Sequence, residues 1–175
     1  MKIIKVLLAA TIMSACTPVN NWTGQASEQK EIRLNNINPA FKAASYLGYT
    51  ETSHRAELKQ LMNIDPRRTE WCAAFVNAVL EESDIPSNND HKYPLTARAF
   101  LDWGNSIVKE DIKPGDLVIF PRGNQGWQGH VGFYLKTGII NGVEYYYILG
   151  GNQNNKVSIE LYRASRALGI RRNLN

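Results

Sequence analysis

The chain has 175 residues, 43% of them hydrophobic and 21% charged, the balance of a globular protein with room for one sizeable core. Its formal charge of +4 is not gathered into a Lys/Arg run or basic stripe, which argues against a surface built to track phosphates and so against nucleic acid as a partner. There are two cysteines, Cys16 and Cys72, and each needs its own explanation.

The chain opens with MKIIKVLLAATIMSACTPVN: Lys2 and Lys5, an apolar stretch from Val6 to Met13, then small residues up to Cys16. This is the layout of an export signal, and it is too short to span a bilayer. Met-Ser-Ala-Cys resembles the lipobox of bacterial lipoproteins, with Met13 where Leu is usual. The resemblance implies that residues 1–15 are a signal peptide and that Cys16 is the lipidated first residue of the mature chain. Thr17 stands where an inner-membrane retention signal has Asp, so the implied address in a Gram-negative host is the outer membrane, facing the periplasm. A plain secreted protein cut nearby is the alternative. With Cys16 acylated, Cys72 has no partner within the chain and is either kept for its reactivity or hidden in the core.

Residues 16–36 are rich in Asn, Gln, Ser, Thr and charge, which predicts a flexible tether with an end-to-end distance of about 25 Å. A single domain, residues 37–175, follows. Its first helix, NPAFKAASYLG, has Asn38 as cap and Pro39 at the first helical position and stops at Gly48. A second runs from Ser53 to Asn63, with Ala56, Leu58, Leu61 and Met62 as a loose apolar face. The third carries Cys72 and is capped by Thr69; the fourth, TARAFLDWG, closes at Gly104. After IKPGD the pattern turns to strands: DLVIF, HVGFYLK, EYYYIL and KVSIEL, with Asn141-Gly142 as the turn between the second and third, and a short last strand near Leu168–Arg171. Helices first and strands after them give an α+β fold with a mostly antiparallel sheet.

In the third helix, Cys72, Phe75, Val76, Val79 and Leu80 form one apolar stripe, and Trp71, Ala74, Phe75, Ala78 and Val79 form a second beside it. A helix apolar over so wide an arc is central, and on periodicity alone Cys72 is a small core hydrophobe. Its place in the first turn points elsewhere, because free backbone N–H groups and the helix dipole there stabilise a thiolate. A thiolate is the attacking form of a nucleophilic cysteine, and the Cys72 N–H can hold the oxyanion that forms.

Of the three histidines, His54 and His91 sit in polar surroundings, whereas His130 opens a strand between Gly129 and Gly132, where another group can approach closely. Asn152, in ILGGNQNN, returns to the same end of the sheet if the two flanking strands form a hairpin, and its amide could fix the imidazole tautomer. The competing reading of Asn152 is a turn residue in a Gly-rich loop. No pair of His, Cys or carboxylate residues has metal-ligand spacing, so no zinc and no cofactor is expected.

EWCAAFVNAVL, KPGDLVIFPRG, GWQGHVGFYL and LGGNQNNKVSI, in this order, resemble the NlpC-like and CHAP-like cysteine peptidases and amidases of bacteria and phages, over about Ile37 to Arg172. The resemblance implies a papain-like core with Cys72 as nucleophile, His130 as general base and Asn152 as the polar residue that orients it. In many CHAP domains a Glu precedes that Asn by two positions, where this chain has Gly150. It further implies amide hydrolysis in peptidoglycan, either within the stem peptide or between muramic acid and L-alanine, beside a membrane reached through the anchor at Cys16. No protein partner is implied. Trp127 and Trp71 flank the two catalytic stretches as candidates to line the substrate groove, although Trp71 also lies on an apolar stripe. A catalytically silent envelope lipoprotein that binds peptidoglycan or a partner through the same groove is the alternative, and an enzyme passing the acyl group to an acceptor other than water is a third.

Overall fold

The structure, a computed structural model, describes residues 38–174. The segment assigned to the signal peptide, Cys16 and the tether lies outside the described residues. Among those described, no helix is long and apolar enough to cross a membrane.

Among the described residues three α-helices precede the sheet: α1 (Pro39–Ala44), α2 (Arg55–Met62) and α3 (Cys72–Glu82). Asn38 caps α1 as its sequence suggests, with its side chain accepting the Ala40 N–H at 3.0 Å while its amide donates to Pro114 O. The α-helix is shorter than expected, giving way after Ala44 to turns that reach Gly48. Asn63 ends α2 in the left-handed conformation that Asn tolerates. Thr69 does not cap α3. Trp71 holds that position, without a side-chain cap, so Cys72 is the first helical residue. The fourth expected helix is a 3₁₀ turn, Ala97–Leu101, followed by Gly104 with φ +57. There the backbone passes so close to Arg172 O that a Cβ would stand 2.7 Å from it.

Six strands form one antiparallel sheet: β1 (Asn105–Ser106), β2 (Leu117–Pro121), β3 (Gly129–Ile140), β4 (Val143–Gly150), β5 (Ser158–Arg163) and β6 (Gly169–Arg172), in the order β1-β6-β2-β3-β4-β5. Asn141 and Gly142, both with positive φ, make the tight turn between β3 and β4. Alternation divides the sheet into two apolar faces. Leu117, Ile119, Val131, Phe133 and Leu149 pack against α3, every residue of which from Cys72 to Leu80 is buried. Val118, Phe120, Tyr134, Tyr146, Ile148 and Ile170 form a second cluster on the other face. The architecture is α+β, three helices against an antiparallel sheet, as the order of helical and strand patterns suggests.

Candidate active site

The β3–β4 ladder stops at Phe133↔Leu149, although β3 begins four residues earlier. Beyond that point the strands part, and the chain fills the gap with two glycines. A Cβ on Gly150 would stand 3.2 Å from His130 Nε2, and one on Gly151 would stand 2.6 Å from the Trp71 ring and 2.7 Å from Phe75. The end of β4 is thus reduced to bare backbone between the start of α3 and the imidazole.

The Cys72 sulfur lies at this opening. It takes hydrogen bonds from two backbone N–H groups, those of Val131 and Ala73. Ala73 belongs to the first turn of α3, whose N–H groups have no helical partner. Val131 is the residue after His130, two short of the last β3–β4 pair, so β4 does not claim its N–H. Helix start and strand start therefore converge on one sulfur atom. Burial nevertheless dominates and pushes the thiol pKa up, against the Arg122 charge and the two N–H groups, which pull it down. The helix start favours the thiolate but does not outweigh burial.

His130 is buried on the other face of the sheet, in register with Phe120, its ring stacked on Tyr162 at 5.2 Å between centroids. Tyr162 stacks in turn on Phe120. Burial, with help from the Arg122 charge, lowers the imidazole pKa to about 3. The ring is therefore neutral at ordinary pH, and its partner decides which nitrogen holds the proton.

That partner is Gln153, not Asn152. His130 Nε2 lies 3.0 Å from Gln153 Oε1, while Gln153 Nε2 donates to Ser158 O at 2.6 Å and to Ile148 O at 3.3 Å. With the amide NH₂ committed to two carbonyls, the oxygen facing the histidine must accept, so Nε2 carries the proton. Nδ1 is left with a free lone pair, and among the described residues it has no hydrogen-bond partner. The arrangement is a base with its proton-accepting atom unclaimed.

Asn152 serves the rim instead. Its φ of +55, with Asn154 and Asn155 also positive, makes it one of the left-handed residues of the GGNQNN turn. Its side chain donates to Glu70 Oε2 at 2.5 Å, and its carbonyl accepts from Arg122 Nη2 at 3.3 Å. Gln153 carried its own signal in the sequence: Asn tolerates the left-handed turn and Gln does not, so the Gln within an Asn run is the residue left to present a side chain.

No protein-family model matches this chain, and no curated protein matches it. The chemistry of the site is accordingly read from its own groups.

A cleft of about 160 Å³ opens beside Cys72, walled by Glu70, Leu95, Thr96, Ala97, Arg122, Trp127, Gln128 and Gly129. Trp127 is 66% exposed on its wall, free to meet a ligand. Trp71 is not in the cleft: it is fully buried, edge-on to Phe75, with its indole N–H 3.3 Å from Glu51, which corrects its assignment as a groove residue. The loop carrying Trp127 is folded around Gln128, whose Oε1 accepts the N–H groups of Asn124 and Gln125 while its backbone oxygen accepts from Arg98 Nε. Arg122, Glu70 and Gln153 are the polar groups of the site that motif reading passes over. Among the described residues no group of three His, Cys, Asp or Glu side chains is placed to hold a metal ion.

Proposed function

We propose that the chain is a papain-like cysteine hydrolase that cleaves an amide bond of peptidoglycan, held at the cell envelope by a lipid on Cys16 and reaching the wall on the tether of residues 16–36. The observation that carries this reading is the free Nδ1 lone pair of His130, held in that tautomer by Gln153, in a chain whose α3 begins at the thiol of Cys72. A structural histidine has no need of a fixed tautomer with an unclaimed buried nitrogen, and a general base does.

In this mechanism the thiol and imidazole are both neutral at rest, since burial disfavours either charge. As the Cys72 sulfur bonds to the substrate carbonyl carbon, its proton passes to His130 Nδ1, and the imidazolium keeps its Nε2–H bond to Gln153. His130 then gives the proton to the leaving amine, the C–N bond breaks, and a thioester remains on Cys72. Water, activated by His130, releases the acid and restores the thiol. Gln153 orients and touches no reacting atom, so it is a positioning residue.

The test is digestion of intact peptidoglycan by the purified chain beside a Cys72→Ala control, with soluble products separated by mass spectrometry. Fragments from the wild type alone are expected, and their masses name the bond. No fragments from either, with both proteins still pelleting with the wall, would sink the hydrolase reading in favour of a binding lipoprotein.

A further inference from the structure

Arg122 follows directly on β2 and lies on the wall of the Cys72 cleft, its side chain 36% exposed. From behind, its guanidinium is held by neutral acceptors: the Asn152 carbonyl, at 3.3 Å from Nη2, and the Tyr162 hydroxyl. Its other terminal nitrogen, Nη1, stands 3.9 Å from Glu70 Oε2. The Glu70 side chain is 82% exposed, and that oxygen already accepts from the Asn152 amide. A pair so long and so wet holds its partners weakly. The fork is therefore aimed and stiffened on one side while its other side meets only a carboxylate that solvent can carry off. A carboxylate arriving from the cleft can form the paired N–H···O bonds that Glu70 does not make.

We propose that Arg122 is a specificity-determining anchor for a substrate carboxylate, so that the amide attacked by Cys72 belongs to a substrate with a free carboxylate close to the scissile bond. Glu70 stands in for that carboxylate and gives way to it. The inference rests on the amide-hydrolase reading of the same cleft and narrows it to anionic substrates, with Trp127 and Leu95 supplying apolar contact around the charge.

Iodoacetate and iodoacetamide test the anchor without needing the natural substrate. Both react with the Cys72 thiolate by forming a sulfur–carbon bond and releasing iodide, and they differ in whether they bring a carboxylate or a neutral amide. Because both need the same thiolate, any influence of Arg122 on the thiol cancels in the ratio of their rates. The ratio is measured on the full chain at one alkaline pH, by mass spectrometry of the peptide containing Cys72, with glutathione as the reference thiol. The expected iodoacetate preference at Cys72 is about tenfold above that of glutathione, the scale of a charge-assisted forked pair. It falls to the glutathione value in Arg122→Gln, is intermediate in Arg122→Lys, and rises in Glu70→Gln. A wild-type ratio equal to that of glutathione, or a ratio unmoved by Arg122→Gln, overturns the anchor and leaves the hydrolase reading standing if peptidoglycan is still digested. Failure of both reagents to reach Cys72 overturns the two together.

Discussion

Two hollows in this protein make an instructive pair. The larger, about 450 Å³, lies where α1 meets the β2 approach and is lined by Asn38, Trp103, Lys113, Asp116 and Arg172 among others. Its buried carboxylate, Asp116, is fully engaged: both oxygens accept from Arg172, and one also takes the Lys113 N–H at 2.8 Å. The smaller, about 160 Å³, has Cys72 on its wall, a thiol whose burial opposes its ionisation, and Gly129, the residue before a histidine with an unclaimed nitrogen. Volume favours the first and chemistry the second. Polar groups that are all satisfied hold a fold together, whereas a group left unsatisfied at the expense of stability marks where something is to happen.

The contrast is broken most sharply at Cys72. Cys72→Ala is expected to fold normally and to lose peptidoglycan hydrolysis by about 10⁴-fold or more, since no other group can form the thioester. In the other hollow, Asp116→Ala strips a buried partner from Arg172 and is expected to destabilise the protein by about 3 kcal/mol in urea melts, with activity per folded molecule unchanged. If Asp116→Ala instead removed activity while leaving stability intact, the assignment of roles to the two hollows would be reversed.

At His130 the contrast is between two candidate orienting residues, Gln153 and Asn152. Gln153→Ala is expected to lower kcat/KM by about 100-fold, partly recovered in Gln153→Glu, because the Nε2 proton loses its acceptor and the ring its tautomer. Asn152→Gly keeps the left-handed turn and is expected to stay within about threefold of wild type. The opposite ranking of these two variants in a steady-state assay would return the orienting role to Asn152.

A separate effect is read by pH. The folded His130 pKa is lowered to about 3, below its unfolded value, so its contribution to stability is complete above about pH 6.5 and is lost as the pH falls toward the folded value. Thermal or urea melts should show the wild type losing about 2 kcal/mol between pH 7 and pH 5 from this group, and His130→Gln should flatten that part of the curve.

Much of this arrangement could be read from residue order. The wide apolar arc of α3 foretold its burial from Cys72 to Leu80, the Asn141-Gly142 pair foretold the β3–β4 hairpin, and the glycines around His130 foretold a crowded strand start. The misreadings share one physical origin. Whether Thr69 or Trp71 begins a helix, and whether Asn152 or Gln153 faces a ring, depend on a shift of one or two residues in a turn, and backbone dihedrals there answer to long-range packing. The balance at Cys72 was hidden for a similar reason: the helix start is local and visible in sequence, whereas the burial that outweighs it is supplied by strands distant in sequence, around Val131.

That burial has a consequence for the working life of the molecule. Thiolates, and not thiols, attack peroxides and disulfides, and the oxidant must first reach the sulfur. At 4% exposure and with its proton retained, Cys72 is slow to become a sulfenic acid or to be captured in a mixed disulfide. The recess that withholds its charge also works as a preservative, slowing the loss of this free thiol to any oxidant it meets.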